Sequence, residues 1–224
     1  MDYPDRETYR KLYARYVAPH GHPVTEMVDL AGDLTDKRVL DLCGGAGEIA
    51  LECVSRGASH VTLVDQCADM TDIEPLKKAG VEVCVFEVEH YLFIPKMESS
   101  LADVVFCRQA VNYWFDKETA GTLAKNVKPG GLFIFNTFNQ RPSPEPKVKE
   151  YELEDEKGIA WKFVEVSWRI GRTVHHVQIR EDMEPHHTTF QWIWPEFFKG
   201  ILAHYFDVEV KTDGGTDIYI CRKK

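Results

Sequence analysis

A glycine-rich turn, set between a short apolar run and a helix-compatible segment, is the feature that most restricts the fold of this chain. The run at residues 39–42 carries one acid, Asp41, and Gly44, Gly45 and Gly47 follow closely. Such a run predicts a buried strand. In a strand–turn–helix unit of this kind, the backbone N–H groups of the turn and the N-terminus of the helix lie at the carboxyl edge of the sheet. Glycine is required where a side chain would keep a ligand from the backbone.

Strand and helix patterns then alternate along the chain. Strands are predicted at residues 37–42, 60–64, 81–86, 102–107 and 132–136. Helices are predicted at about 24–34, 47–56, 69–79 and 116–127. Strands that alternate with crossover helices predict an α/β fold with a mostly parallel sheet covered on both faces.

The last third of the chain has a different pattern. Residues 150–194 alternate β-forming residues with polar ones, and antiparallel strands are predicted at 160–168, 173–180 and 188–193. A helix begins at Pro195, the residue type favoured at a first helical position. Two further strands, at 206–211 and 217–221, flank Gly214-Gly215 and predict a hairpin that joins the main sheet.

These patterns indicate a single domain over residues 1–224. Its parts are an N-terminal helical lid (1–35), a cofactor-binding core (36–140), a β insertion over the active site (150–194) and a C-terminal helix and hairpin (195–224). A length of 224 residues suits one α/β domain.

Composition excludes several classes of protein. Six scattered cysteines without a CxxC pair argue against a disulfide framework or zinc ribbon and for a reducing, cytoplasmic setting. A net charge of −9 argues against long nucleic acid as a partner. No stretch is long and apolar enough to span a membrane, and the N-terminus lacks the pattern of a signal peptide.

Acids follow three successive strands. Asp41 ends the first, Asp65 follows the second and Glu87 follows the third. An acid at the end of the second strand is suited to accept hydrogen bonds from ribose hydroxyls. Glu87 could accept from an adenine amino group, so the three carboxylates predict one ligand crevice.

These motifs together resemble those of the class I S-adenosylmethionine-dependent methyltransferases. The matching segments are residues 39–47, 64–65, 86–89, 103–108 and 127–132. The family usually has glycine where this chain has Cys43, a small residue that buries well. The resemblance implies a Rossmann-like sheet with an antiparallel C-terminal hairpin strand and helices on both faces.

The resemblance also implies a cofactor site for S-adenosylmethionine, which leaves as S-adenosylhomocysteine. In the family, Asp41 and the loop amides hold the methionyl end, and Asp65 holds the ribose. The implied cofactor-binding residues are Tyr16, Asp41, Cys43, Gly44, Gly45, Gly47, Asp65, Gln66, Glu87, Val88, Cys107 and Arg108. Methyl transfer in this family is an in-line displacement that requires no metal, so the protein chiefly aligns and desolvates the reactants.

The glycine turn alone also fits a dinucleotide site. Gly45-x-Gly47-x-x-Ala50 satisfies that pattern and suggests an NAD-dependent oxidoreductase. Asp41 argues against it, because a carboxylate before the loop would repel a pyrophosphate. The turn at residues 128–131 also fits a methyltransferase better.

The acceptor site is expected beyond the fourth and fifth strands, under the lid and the insertion. Candidate substrate-binding residues are Tyr13, Arg108, Asn112, Tyr113, Asn136 and Trp192. An aromatic wall with a few polar groups suits a small, partly flat acceptor. The alternative is that residues 112–115 cap the following helix and fill the core, and that the tryptophans of the insertion pack internally.

Histidines are candidates for a general base. His20, His186 and His187 are the candidates, with Tyr113 as a further catalytic residue. The pairs His175-His176 and His186-His187 could suggest a metal site. Neighbours on a strand point to opposite faces, so each pair offers at most one inward histidine, and no metal is predicted.

The expected function is methyl transfer to an N or O atom of a small molecule. A protein or peptide acceptor is the alternative within the enzymes, and a cofactor-binding module without activity is the alternative outside them. Residues 112–115 lack the two prolines typical of enzymes that methylate nucleic-acid bases. A monomer or homodimer without nucleic-acid or membrane partners is expected.

Overall fold

The computed structural model describes residues 24–66, 73–154 and 159–224. The first part of the predicted N-terminal lid, with Tyr13, Tyr16 and His20, lies outside these ranges. So does the first part of the helix predicted from residue 69. Side chains are described throughout these ranges except at Leu153, Glu154 and Asp213.

A seven-stranded sheet forms the centre of the molecule. Its strands are β1 (Arg38–Leu42), β2 (His60–Asp65), β3 (Val81–Val85), β4 (Ala102–Cys107), β5 (Val127–Phe138), β10 (Phe206–Asp213) and β11 (Thr216–Lys223). The strand order is β10-β11-β5-β4-β1-β2-β3. β1 to β5 are parallel, and β10 and β11 form an antiparallel hairpin against β5. The predicted sheet is confirmed, and its parallel strands end at one shared edge.

Helices cover both faces of this sheet. They are α1 (Val24–Asp29), α2 (Glu48–Ser55), α3 (Ile73–Lys78), α4 (Val88–Phe93), α5 (Val111–Trp114), α6 (Lys117–Asn126) and α7 (Pro195–Leu202), with a 3₁₀ turn at Glu98–Ser100. α1, α2 and α3 pack on one face, and α4 to α7 on the other. α1 is shorter than predicted, and the short helices α4 and α5 were not predicted.

Two helix starts follow from local sequence. Asp116 caps α6: its side chain accepts a hydrogen bond from the amide of Thr119, and the Thr119 hydroxyl accepts one from the amide of Asp116. Pro195 occupies the first turn of α7, as predicted. Among the described residues no helix is long and apolar enough to cross a membrane.

A second sheet of four antiparallel strands lies between β5 and α7 in the chain. Its strands are β6 (Lys147–Glu154), β7 (Ala160–Ile170), β8 (Thr173–Arg180) and β9 (His186–Gln191), in that order. The three predicted strands are present, but β6 was not predicted. Its sequence, Lys-Val-Lys-Glu-Tyr-Glu-Leu-Glu, is rich in residues that are depleted in strands. We call this second sheet the roof sheet.

The roof sheet is joined to the main sheet near the ends of β4 and β5. The Asn112 side-chain amide donates to the carbonyl of Gln191 at 2.8 Å. The ring of Phe190 lies 5.9 Å from that of Tyr113 and 6.2 Å from that of Phe138. The face of the roof sheet that carries Phe190 is therefore its inner face.

Candidate active site

The glycine turn after β1 has the strained, close-packed geometry of a ligand-binding loop. Cys43, Gly45 and Gly47 have positive φ angles of 54°, 52° and 83°. A Cβ on Gly44 would lie 2.6 Å from Cγ of Leu63 and 2.7 Å from Oδ2 of Asp41. Left-handed backbone costs a non-glycine residue about 1–2 kcal/mol, so Cys43, at the position where the family usually has glycine, carries real strain.

Asp41 is buried beneath this turn rather than exposed in the crevice. Its side chain is 1% exposed and accepts a hydrogen bond from the backbone amide of Ala50 in α2. Its Oδ2 atom is buried and has no hydrogen-bond partner among the described residues. Burial raises the pKa of Asp41 to about 7, and the guanidinium of Arg108 opposes that rise.

Asp65 connects the end of β2 to the same turn. Its Oδ2 atom accepts a hydrogen bond from the amide of Gly45 at 2.9 Å, across 20 residues of sequence. The amide of Gly47 donates to the carbonyl of Gly44 at 2.8 Å. Both loop amides that the resemblance assigned to the methionyl end therefore have partners within the protein. The contact to Asp65 places the second acid directly beside the glycine turn.

The third strand end is more open. Glu87 is exposed at the start of α4 and forms an ion pair with His90 at 3.2 Å. Val88, in contrast, is buried in the core beneath α4. Its side chain is therefore turned away from the crevice in which the resemblance placed it. Gln66 is half-buried directly after Asp65.

β4 contributes Cys107 and Arg108 beside the glycine turn. Cys107 is fully buried, and its contact with the thiol of Cys43, together with burial, raises the pKa of Cys43. A raised pKa keeps that thiol protonated and weakly nucleophilic. Arg108 pairs with Glu48 of α2, so its guanidinium lies over the start of that helix.

A network of amide side chains supports the ends of β4 and β5. Gln109 has a left-handed φ of 58°, and its amide donates to Oδ1 of Asn136 at 2.8 Å. Asn136 is 1% exposed, and its Nδ2 atom has no hydrogen-bond partner among the described residues. Asn112 accepts from the hydroxyl of Thr137 at 2.5 Å while donating to the roof sheet. Asn112 therefore joins three elements around the site.

The aromatic side chains next to this network differ in burial. Tyr113 is half-buried against Phe190 of the roof sheet. Trp114 and Phe115 are buried in the core, as the packing alternative predicted. Trp192 is also buried, at 2% exposed, so its indole packs internally and does not line a crevice.

The histidines of the roof sheet point to opposite faces, as strand alternation predicted. The rings of His175 and His187 stack on Trp168, with centroids 5.0 and 6.0 Å from the indole. His176 lies on the other face, 3.9 Å from Glu165, and burial lowers its pKa. His186 shares the face of Phe190 and His187 does not, because residues 186, 188 and 190 alternate with 187 and 189.

No group of three or more His, Cys, Asp or Glu residues that could hold a metal ion occurs within the described ranges. Two residues of interest were not predicted from sequence, Glu48 and Gln109. Glu48 was detectable as the first residue after the glycine turn. Nothing local marks Gln109, whose backbone conformation depends on Asn136.

Comparison with known proteins places this geometry in a family. A family model described as a methyltransferase domain matches residues 9–202. The ubiquinone biosynthesis O-methyltransferase of Neisseria meningitidis serogroup A is 31% identical over 120 residues, which are 52% of this chain and 50% of that protein. The chain thus spans about half of the length of the curated relatives it matches.

Solved structures share the fold. CcbJ methyltransferase from Streptomyces caelestis superposes with a TM-score of 0.74 at 17% identity, covering 96% of each chain. CalS10 from Micromonospora echinaspora, an amino pentose methyltransferase solved with S-adenosylmethionine bound, gives a TM-score of 0.71 at 15% identity, covering 100% of this chain and 99% of CalS10. At these identities the likeness concerns the fold.

Proposed function

Because this chain belongs to the methyltransferase-domain family, we propose that it transfers a methyl group from S-adenosylmethionine to an N or O atom of a small molecule. The observation that carries the proposal is the hydrogen bond from the Gly45 amide to Asp65. That contact joins a glycine turn and an acid at the carboxyl edge of a parallel sheet, where such folds bind their ligands.

The residues present fit this donor. A Cβ on Gly44 would collide with Asp41 and Leu63, so only glycine lets the turn pack directly on the ends of β1 and β2, where the ligand crevice is proposed. Asp65 is the proposed ligand of the ribose hydroxyls. Glu87 and Gln66 are proposed beside the adenine, with Val88 contributing backbone only, since its side chain is buried.

The family relation removes the oxidoreductase alternative. An NAD pyrophosphate would also meet the carboxylates of Glu48 and Asp65 beside the glycine turn. A sulfonium donor has no phosphate and carries a positive charge, so these carboxylates suit it better.

The chemistry needs few protein groups. S-adenosylmethionine supplies an electrophilic methyl group when it is bound. The protein holds the acceptor in line, excludes water and accepts a proton where the acceptor loses one. We propose His186 as that proton acceptor, because it shares the inner face of the roof sheet with Phe190. His187 is less suitable, since it stacks on Trp168 on the opposite face.

The acceptor is proposed to lie between the ends of β4 and β5 and the roof sheet. Tyr113 and Phe190 offer aromatic surface there, and Asn136 offers a buried amide nitrogen. A surface that combines aromatic rings with a buried amide favours a small molecule over a peptide. The curated relative is a ubiquinone biosynthesis O-methyltransferase and one fold neighbour is an amino pentose methyltransferase, which supports a small-molecule acceptor for this chain. The net charge of −9 argues against nucleic acid as a partner. Scattered cysteines without a CxxC pair support a cytoplasmic setting.

Calorimetric titration tests the donor assignment. S-adenosylmethionine and S-adenosylhomocysteine should both bind, and NAD should not. Asp65→Ala should weaken binding of both sulfur compounds by about 10- to 100-fold, because it removes charge-assisted hydrogen bonds. Asp65→Asn keeps an acceptor for the Gly45 amide and checks that folding survives, and Asp207→Ala, an exposed acid on β10, is the matched control. Binding of NAD alone would refute the proposal.

A further inference from the structure

Arg108 and Glu48 form an ion pair beside the glycine turn. Arg108 directly follows β4, and Glu48 is the first residue of α2, immediately after Gly47. An Nη2 atom of Arg108 contacts Oε2 of Glu48 across 60 residues of sequence. Because β1 and β4 are adjacent in the sheet, the pair lies between the loop that follows β1 and the end of β4.

The two partners are unequally exposed. The Arg108 side chain is 14% exposed, whereas that of Glu48 is 44% exposed. Ion pairs with a partner this open to solvent contribute little to stability, about 0–1 kcal/mol. The guanidinium is thus held in the site, while its carboxylate partner can move into water at small cost.

The charge of Arg108 acts on the interior of the site. Its guanidinium opposes the rise in the pKa of Asp41, the carboxylate buried under the turn, whereas Asp65 and Glu48 promote that rise. Arg108 is therefore a cation that pairs with Glu48 and acts electrostatically on Asp41 beneath the turn. A guanidinium in this position offers planar, paired donors that match a carboxylate.

We propose that Arg108 binds the carboxylate of the methionyl end of the donor, and that Glu48 occupies the guanidinium until the donor displaces it. This inference rests on the proposed function. One carboxylate replaces another on the same guanidinium, so no net charge is left unpaired on Arg108. Glu48 turns to solvent, where it still lies at the N-terminus of α2 and is favoured by the helix dipole.

Two consequences follow for binding. The protein should prefer S-adenosylmethionine to decarboxylated S-adenosylmethionine, which lacks only the carboxylate, by about 10- to 100-fold, the range for a charge-assisted hydrogen bond. Removing the competing carboxylate should tighten binding of S-adenosylmethionine by up to about fivefold, since that is what a weak ion pair can contribute. The decarboxylated compound should gain nothing from that change.

Calorimetry with both compounds tests the proposal on the wild-type chain, Arg108→Ala, Glu48→Gln and the control Arg222→Ala. Arg222 lies on β11 and donates to the carbonyl of Gly130, away from the turn. Arg108→Ala should weaken the binding of S-adenosylmethionine but not that of its decarboxylated analogue, and should thereby abolish the preference between them. Glu48→Gln should increase that preference, and Arg222→Ala should leave it unchanged.

The outcomes separate this inference from the proposed function. If the wild-type chain binds both compounds and the preference survives in Arg108→Ala, the carboxylate site is wrong while the donor assignment stands. If the wild-type chain binds neither compound, the donor assignment itself fails. Thermal unfolding of each variant verifies folding, and Glu48→Gln provides the decisive ratio if Arg108→Ala does not fold.

Discussion

Asp41 should make the stability of this protein depend on pH in a direction opposite to that of most carboxylates. Burial raises its pKa to about 7 from 3.8. Between these two values the folded protein keeps a proton that the unfolded chain releases. Stability therefore falls as pH rises through this window. A difference of about 3 pKa units corresponds to about 4 kcal/mol in total, at about 1.4 kcal/mol per unit.

Asp41→Asn removes this titration and keeps the shape of the side chain. Over pH 5 to 8 the Asp41 contribution to the wild-type free energy of unfolding should fall by about 2.5 kcal/mol, and the variant should lack that fall. Asparagine places an amide nitrogen or oxygen where Oδ2 has no partner among the described residues. An unpaired buried donor costs about 1–3 kcal/mol, so the variant should exceed the wild type in unfolding free energy at pH 8 by less than about 2.5 kcal/mol.

Urea denaturation at pH 5, 6, 7 and 8 measures both quantities. Asp33→Asn is the control, because Asp33 is exposed and hydrogen bonds from Thr35 lower its pKa, so it titrates below the tested range. The difference between wild type and Asp41→Asn should appear in the slope of unfolding free energy against pH. An identical slope in the two proteins would refute the assignment of a proton to Asp41 in the folded state.

Two further variants test the packing around the site. Gly47→Ala places a Cβ 2.5 Å from Leu76 at φ 83° and should weaken donor binding and lower stability by more than about 2 kcal/mol. Gly214→Ala is the control, because Gly214 has a φ of 55° but no atom within 4 Å of an added Cβ, so this variant has the backbone strain alone. Equal losses of stability in urea for Gly47→Ala and Gly214→Ala would contradict the packing argument. Asn112→Ala removes the hydrogen bond to Gln191 and should destabilise by about 1–3 kcal/mol. Proteolysis should then cut the roof sheet sooner than in Thr137→Val, which removes the hydroxyl that donates to Asn112 but keeps the Asn112 amide that donates to Gln191. Unchanged cleavage in Asn112→Ala would show that other contacts hold the sheet.

The main sheet could be predicted because its signals are local. β2 and β4 are mostly apolar and almost fully buried, as a strand inside a covered parallel sheet requires. Gly47 marks the boundary between the turn after β1 and the start of α2. Its φ angle of 83° is one that only a glycine adopts freely. The acids at the strand ends were predictable for the same reason, since parallel strands place their carboxyl ends at one edge.

The elements that were missed have weak or misleading local signals. β6 is built from lysines and glutamates and forms because β7 offers it an edge. Val88 follows an acid at a strand end and suggested a contact in the crevice, but α4 turns that side chain into the core. Strand alternation predicted that His186 and His187 face opposite ways. Which of them faces inward depends on how Phe190 docks on Tyr113.

The sequence by itself determined the order of strands and helices, the glycine turn and the acids around it, because each depends on neighbours within a few residues. Only the tertiary structure decided the chemical state of those acids. Asp41 has its raised pKa because α2 and the turn bury it, and Asp65 contacts Gly45 from the next strand. Arg108 meets Glu48 across 60 residues. Burial and long-range contact set the charges of the site, and neither is encoded in any short segment.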